Sequence, residues 1–286
     1  LPNKTFMTNG EAFFDRWLTQ KWRMKTTYKL SFERNNRDCD FLTDGLVDDA
    51  NSYQDHHTTL IHDFNISQTI NIKTLQLMPN VSAQWQRERQ DYTRGSLDTA
   101  AVRHSFQIDP SMHAVWKLTK TIGLEANYSF KTQKPEMLST LAYRDLTNPL
   151  FIVEGNPHLK DSHIHEASLA YKMVLAKSQT SFNFTMSYRS SDREHISALS
   201  YDPTTAVYVS RTENVKGSQA WSFRLNLDQA LGDYFRLQND LNISTEQRYG
   251  YLTLLSTQTE RTLNQQSSFH PKDKITLSFD HTWLKT

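Results

Sequence analysis

Histidines are the first side chains here that could do chemistry. His163 and His165 stand two residues apart, so on an extended backbone both point to one face. His56, His57 and His62 form a second group. Zinc needs three or four ligands with a supporting shell of hydrogen bonds, and no spacing ties the two groups into one site. We therefore expect no metal and read these histidines as part of a polar rim. Cys39 is the only cysteine, which excludes an internal disulfide and any CxxC site. Serines and carboxylates abound, yet no GxSxG, HExxH, GxGxxG or Walker pattern occurs. The expectation is a chain with no catalytic residues and no cofactor, not an enzyme, whose ligand-binding residues stay unknown. Asn65-Ile66-Ser67, Asn127-Tyr128-Ser129 and Asn183-Phe184-Thr185 have the form of glycosylation sequons. Each sits inside an alternating stretch, and alternation itself explains it.

That alternation is the dominant local signal. Ile122, Leu124, Ala126, Tyr128 and Phe130 interleave with Gly123, Glu125, Asn127 and Ser129, the period of a strand with one apolar and one polar face. The pattern recurs in about eleven stretches. They include Met24–Arg34, Thr58–Ile70, Leu75–Tyr92, Ala101–Trp116, Ala167–Tyr171 with Phe182–Tyr188, Val207–Leu227 with a bulge near Lys216-Gly217, and Ile275–Trp283. Glu11–Trp22 carries aromatics at mixed spacing that fit a short helix or a bulged strand. No apolar run approaches the roughly 18 residues of a membrane helix.

Composition suits strands with one wet face. In 286 residues only 37% are hydrophobic while 12% are aromatic, and mean hydropathy is −0.66. A net charge of +1 supplies no field for a nucleic-acid backbone, so no nucleic-acid partner is expected. Two architectures fit. In a secreted or surface β-sandwich, for example a glycan-binding one, the apolar stripes meet in a core. In an outer-membrane barrel they face lipid and the polar stripes line a lumen. Connection lengths favour the barrel. Short links around Asn71, at Lys117–Thr121, Met173–Ser178, Asp228–Gly232 and His270–Asp273 alternate with longer ones at Asn35–Asp55, Gln133–Asp161 and Arg248–Leu255, although Thr93–Ser96 and Asp202–Thr205 read as short tips on long strands. Trp116, Tyr171, Trp221 and Phe269 fall near short turns, with Trp85, Tyr128 and Tyr188 further up their strands, as two aromatic girdles would require.

Within the longest link stands Asn148-Pro149-Leu150, then Gly155-Asn156-Pro157-His158-Leu159-Lys160, leading into an alternating strand. Further on, Asn214-Val215-Lys216-Gly217 precedes an aromatic-rich strand. Together they resemble the outer-membrane β-barrel family of Bacteroidetes-type TonB-dependent receptors, over most of the chain. Physically, Gly155 and Asn156 tolerate positive φ and Pro157 fixes a turn, so the first element reads as a loop-shaping device.

The resemblance implies an all-β fold, an antiparallel transmembrane β-barrel of the 22-stranded, plugged kind. Residues 1–286 would be an incomplete, C-terminal portion of that one domain, without plug or signal peptide. The implied partners are outer-membrane lipid, the TonB system acting through a plug outside this segment, and a small-molecule, peptide or glycan ligand. The implied location is the bacterial outer membrane. On this reading Leu124, Tyr128, Phe182, Phe184, Phe223 and Leu277 face lipid, and Glu125, Asn127, Asn183, Arg224 and Asp280 face the lumen. Asn35–Asp55 and Gln133–Asp161 would be extracellular, and the first and last strands would lack a neighbour.

Overall fold

The computed structural model describes residues 4–49, 52–95, 97–146, 148–231, 235–249, 257–269 and 277–285. Among them, twelve long strands form one antiparallel sheet in which each pairs with the next long strand along the chain. They are β1 (Lys4–Thr19), β2 (Trp22–Cys39), β5 (Tyr53–Ile72), β6 (Leu75–Arg94), β7 (Leu97–Lys117), β8 (Ile122–Gln133), β11 (Ser162–Leu175), β12 (Thr180–Asp192), β15 (Gln219–Leu231), β16 (Phe235–Tyr249), β17 (Thr257–Phe269) and β18 (Leu277–Lys285). The intervening elements lie in connections: a small hairpin of β3 (Leu42–Thr43) and β4 (Leu46–Val47), and a four-stranded sheet of β9 (Arg144–Asp145), β10 (Phe151–Glu154), β13 (Glu194–Asp202) and β14 (Val207–Val215). Among the described residues a single 3-10 turn, Leu138–Thr140, precedes β9.

Register keeps one face largely apolar from β2 to β15, because antiparallel partners opposite one another share a face. Tyr28 lies opposite Phe64 on β5, and Phe64 lies opposite Ala83, which faces Ile108. Tyr171 lies between Leu124 and Phe184, and Phe184 lies opposite Leu225. The polar set is equally continuous: Asn127, Ser168, Ser187, Ser222 and Ser244 occupy one row. Among the described residues nothing covers the apolar face. Phe106 stays 63% exposed, and Trp85, Ile108, Trp116 and Leu169 are exposed as well. A sandwich would bury this face under a second sheet, so the sandwich alternative is overturned.

The described links between sheet strands segregate by end. Gln20-Lys21, Lys73-Thr74, Leu118–Thr121 and Ala176–Gln179 close one end. Residues 40–49, 52, 134–146, 148–161 and 193–218 stand at the other, with the tight tip at Gly95 among them. The turn expected at His270–Asp273, most of Arg248–Leu255, Gly232, Ile275 and Thr276 lie outside the described residues, as do the side chains of Leu277, Asp280 and Phe269.

Four expectations need correction. A strand, Lys4–Thr19, precedes Met24–Arg34, so among the described residues the sheet has twelve strands rather than about eleven; of the two readings of Glu11–Trp22 the bulged strand holds as far as Thr19, with a register shift between Trp17 and Thr19, and Gln20-Lys21 turn into β2. The link read as Asn35–Asp55 is shorter, because β2 and β5 stay paired to Cys39 and Tyr53. Hydrophobic alternation ends where the apolar face ends, but backbone pairing does not. Val207–Leu227 is not one bulged strand. β14 belongs to the second sheet, and the chain breaks at Lys216–Ser218 before β15. Trp221 consequently sits at the long-loop end, opposite Tyr188, and not near a short turn. The outermost strands, β1 and β18, each have one neighbour among the described residues.

Candidate functional site

The polar face is a lattice of matched groups. Near β1 the Asp15 carboxylate takes two bonds from the Arg23 guanidinium. Glu125 accepts from Lys172, and Glu166 accepts from Arg189 at 2.8 Å with Lys131 at 3.7 Å. Between these pairs lies a row of hydroxyls and amides. Where β6 to β15 meet, the face is concave and forms a cavity of about 630 Å3. Its polar lining includes Asn80, His113, Asn127, Ser187, Arg189 and Ser222. With the cations and carboxylates satisfying each other, the groups left for a ligand are mainly hydroxyl and amide. Such a surface can hold a polar solute or a protein segment by hydrogen bonds.

Above the recess, residues 134–146 fold back as a strap against the same face. The Lys134 ammonium donates to Gln86 Oε1 at 3.0 Å, and the Arg103 guanidinium donates to the Pro135 carbonyl at 3.0 Å. Arg94 pairs with Asp145 at 3.0 Å, and Met137 and Leu141 are buried. Beneath the strap, Glu88 is only 7% exposed and is held by Arg103 at 2.7 Å and His57 at 3.7 Å. The strap's titratable groups register this enclosure. Burial pushes the Tyr143 hydroxyl up to about 12, with the neighbouring Tyr92 and Asp145 acting the same way. Burial also lowers the Lys134 ammonium, against the opposing pull of Glu88.

The two elements singled out in the sequence lock together at this rim. Asn156 Nδ2 donates to the Thr212 carbonyl at 3.0 Å, while its own N–H donates to the Ser139 carbonyl at 2.7 Å. Asn214 Oδ1 accepts from the Lys160 N–H at 2.8 Å, and its Nδ2 donates to the carbonyls of Lys160 and Arg193 at 2.9 and 2.7 Å. Parallel pairing of β10 with β14 completes the junction. Neither Gly155 nor Asn156 adopts positive φ, so the reason for glycine differs from the one expected. A Cβ at Gly155 would lie 1.8 Å from the Leu141 carbonyl oxygen, and one at Gly217 would lie 1.5 Å from that of Ser191. Close backbone approach, not a left-handed turn, selects both glycines.

The histidines do not converge. His56 and His62 are on the apolar face, bonded to Asp38 at 3.2 Å and to the Tyr28 hydroxyl at 2.8 Å, whereas His57 is on the polar face beside Glu88. His163 meets Asp192 at 3.3 Å and the Arg193 guanidinium at 2.6 Å, a cation where a metal would have to sit. Among the described residues no three His, Cys, Asp or Glu side chains are placed to hold a metal. No single residue marked the strap or recess in the sequence. The one available signal was the run of Asn, Ser and Gln on the polar stripe.

Residues 4–284 match the outer membrane protein beta-barrel family, and the chain belongs to it. No curated protein matches the sequence. Among solved structures, the fold is similar to that of the FrpB iron transporter from Neisseria meningitidis, with TM-score 0.62 and 13% identity over 99% of this chain. It is also similar to the copper transporter OprC, with TM-score 0.64 and 8% identity over 96%. A third is the ferric enterobactin receptor PfeA from Pseudomonas aeruginosa, with TM-score 0.53 and 12% identity over 99%. The chain spans 43%, 43% and 50% of those three chains. The sheet is therefore barrel wall of a bacterial outer-membrane protein.

Proposed function

We propose that this member of the outer membrane β-barrel family is one portion of the barrel domain of a TonB-dependent receptor that imports a ligand. A continuous twelve-stranded sheet with one lipid-facing and one hydrogen-bonding side carries the reading. FrpB and OprC, which share the fold, are an iron and a copper transporter, and PfeA was solved with enterobactin. On this reading the concave face meets a plug and the passing ligand. The strap and the locked rim shape the extracellular entrance. The ligand class is a small molecule, peptide or glycan. No chemical step is assigned to the chain; the groups its polar face leaves for a ligand are mainly hydroxyl and amide.

Deleting the gene and following metal complexes, peptides and oligosaccharides in the culture medium by mass spectrometry tests the proposal. Uptake of one or more compounds should stop, and the whole gene should restore it only in cells with an intact TonB system. Unchanged depletion across the panel, or restoration without TonB, would contradict it.

A further inference from the structure

The four-stranded sheet at the long-loop end leaves one long edge open. In its order, β13-β14-β10-β9, β13 is outermost, and among the described residues its nine residues pair with β14 alone. Register runs unbroken from Glu194, opposite Val215, to Asp202, opposite Val207. On a strand with one neighbour, every second N–H and C=O points away from the ladder. Such edges are ordinarily blunted by lysine, proline or a bulge. His195-Ile196-Ser197-Ala198-Leu199-Ser200-Tyr201 carries none of these. The edge is also held in shape: His195 Nε2 donates to the Lys160 carbonyl at 2.7 Å, and the Ser197 and Ser210 hydroxyls share a bond of 3.0 Å.

Side chains single out the kind of partner. Phe151, Tyr208 and Tyr201 lie opposite one another across β10, β14 and β13, so they form one row that ends at the open edge. The Tyr201 and Tyr208 rings are 4.7 Å apart, and all three side chains are exposed, Tyr201 by 52%. Ile152, on the opposite face, is buried, which leaves the aromatic face as the open one. Leu199 stands on that face beside Tyr201. Glu194 and Asp202 mark the two ends of the edge, and Asp202 accepts from Thr204 and Thr205. Among the described residues neither carboxylate pairs with a cation. Two copies of the chain paired antiparallel about Ala198 would set Glu194 opposite Asp202 twice, and like charges directly opposite are destabilising. A strand with basic ends and apolar residues at alternate positions meets both features.

We propose that β13 captures an extended peptide segment as a fifth strand of this sheet, with aromatic or branched side chains on the Tyr201 face and a basic residue opposite Glu194 or Asp202. The inference rests on the receptor reading only in placing the sheet outside the cell, and binding to purified protein is measured whether or not uptake depends on TonB. The probe is a fluorescently labelled palindromic peptide, Lys-Tyr-Thr-Val-Thr-Val-Thr-Tyr-Lys, which presents one pattern in either direction. Its binding to the whole protein in detergent is followed by fluorescence anisotropy. Two further probes carry backbone N-methyl groups at alternate residues, in the two possible phases. Only one phase turns its N–H groups toward β13. One methylated probe should therefore bind at least about tenfold more weakly than the parent, and the other should match it within about twofold. Tyr201→Ser, shown to be folded by its heat-shifted gel mobility, should weaken the parent probe about two- to fivefold, and Glu194→Gln by a similar factor. Leu46→Ser, on the exposed tip of the separate β3–β4 hairpin, should leave it unchanged. No saturable binding of the parent peptide, equal loss in both methylated probes, or undiminished affinity of Tyr201→Ser would overturn the proposal. A dimer of the protein that the peptide cannot dissociate would overturn it too, by giving the edge to a second copy.

Discussion

Phe184 offers a quantitative test of which face meets lipid. On β12 it lies four residues below Tyr188, whose ring packs against Trp221 at 4.4 Å in the upper aromatic belt. Four residues correspond to ~10 Å of height at ~3.3 Å per residue and ~40° tilt, close to the middle of a ~25 Å apolar band. Its neighbours across the ladder, Tyr171 and Leu225, are apolar too, so an introduced cation would find no counter-charge beside it. Phe184→Arg should therefore cost about 2–4 kcal/mol in a bilayer. Ser187→Arg faces the recess beside Ser168 and Ser222, where the guanidinium can stay hydrated, and should cost less than about 1 kcal/mol. The assay is urea unfolding of the whole receptor in lipid vesicles, followed by heat-shifted gel mobility. Equal penalties at the two positions, or a larger one at Ser187, would refute the assignment of faces.

Gly155→Ala and Gly217→Ala should each disrupt the rim by a few kcal/mol, because the new Cβ meets a backbone carbonyl at 1.8 or 1.5 Å. Hydrogen exchange should rise across residues 138–160 for the first and 190–218 for the second, while the membrane strands stay protected. Asn214→Ala removes three hydrogen bonds and should open the same junction by about 2–3 kcal/mol, read as earlier proteolytic nicking of 193–218. The Tyr143 hydroxyl is raised by burial, so its neutral form is favoured by the folded strap. Its stabilising contribution is complete below pH ~10 and is lost as pH rises through about 12. The ultraviolet difference titration between wild type and Tyr143→Phe should have its midpoint near 12, and a midpoint near 10 would show an open strap.

The strands were legible wherever lipid imposed a pattern. Phe182, Phe184, Met186 and Tyr188 must be apolar and their alternates need not be, so period two shows plainly. Above the belt that constraint ends. Residues 35–39 and 53–57 remain paired but carry polar and charged side chains on both faces, and they read as loop. Val207–Val215 continues the period of the following strand by coincidence, and nothing local says it leaves the main sheet. The Gly-Asn-Pro and Asn-Val-Lys-Gly elements were visible as unusual runs. That Asn156 reaches Thr212 and Asn214 reaches Lys160 was not, since one sequence records no contact between positions more than fifty residues apart. The recess was hidden for a related reason: its serines and asparagines are ordinary polar-face residues until register aligns them.

The central claim is that one alternating stripe faces lipid and the other a wet lumen. Cysteines placed singly from Phe182 to Arg189 in the whole receptor, with Cys39 replaced by serine and a fluorophore attached at each, test it in brominated-lipid vesicles. Positions 182, 184, 186 and 188 should be quenched by the lipid, and 183, 185, 187 and 189 should not. Quenching that is uniform along the strand, or strongest at the odd positions, would contradict the account.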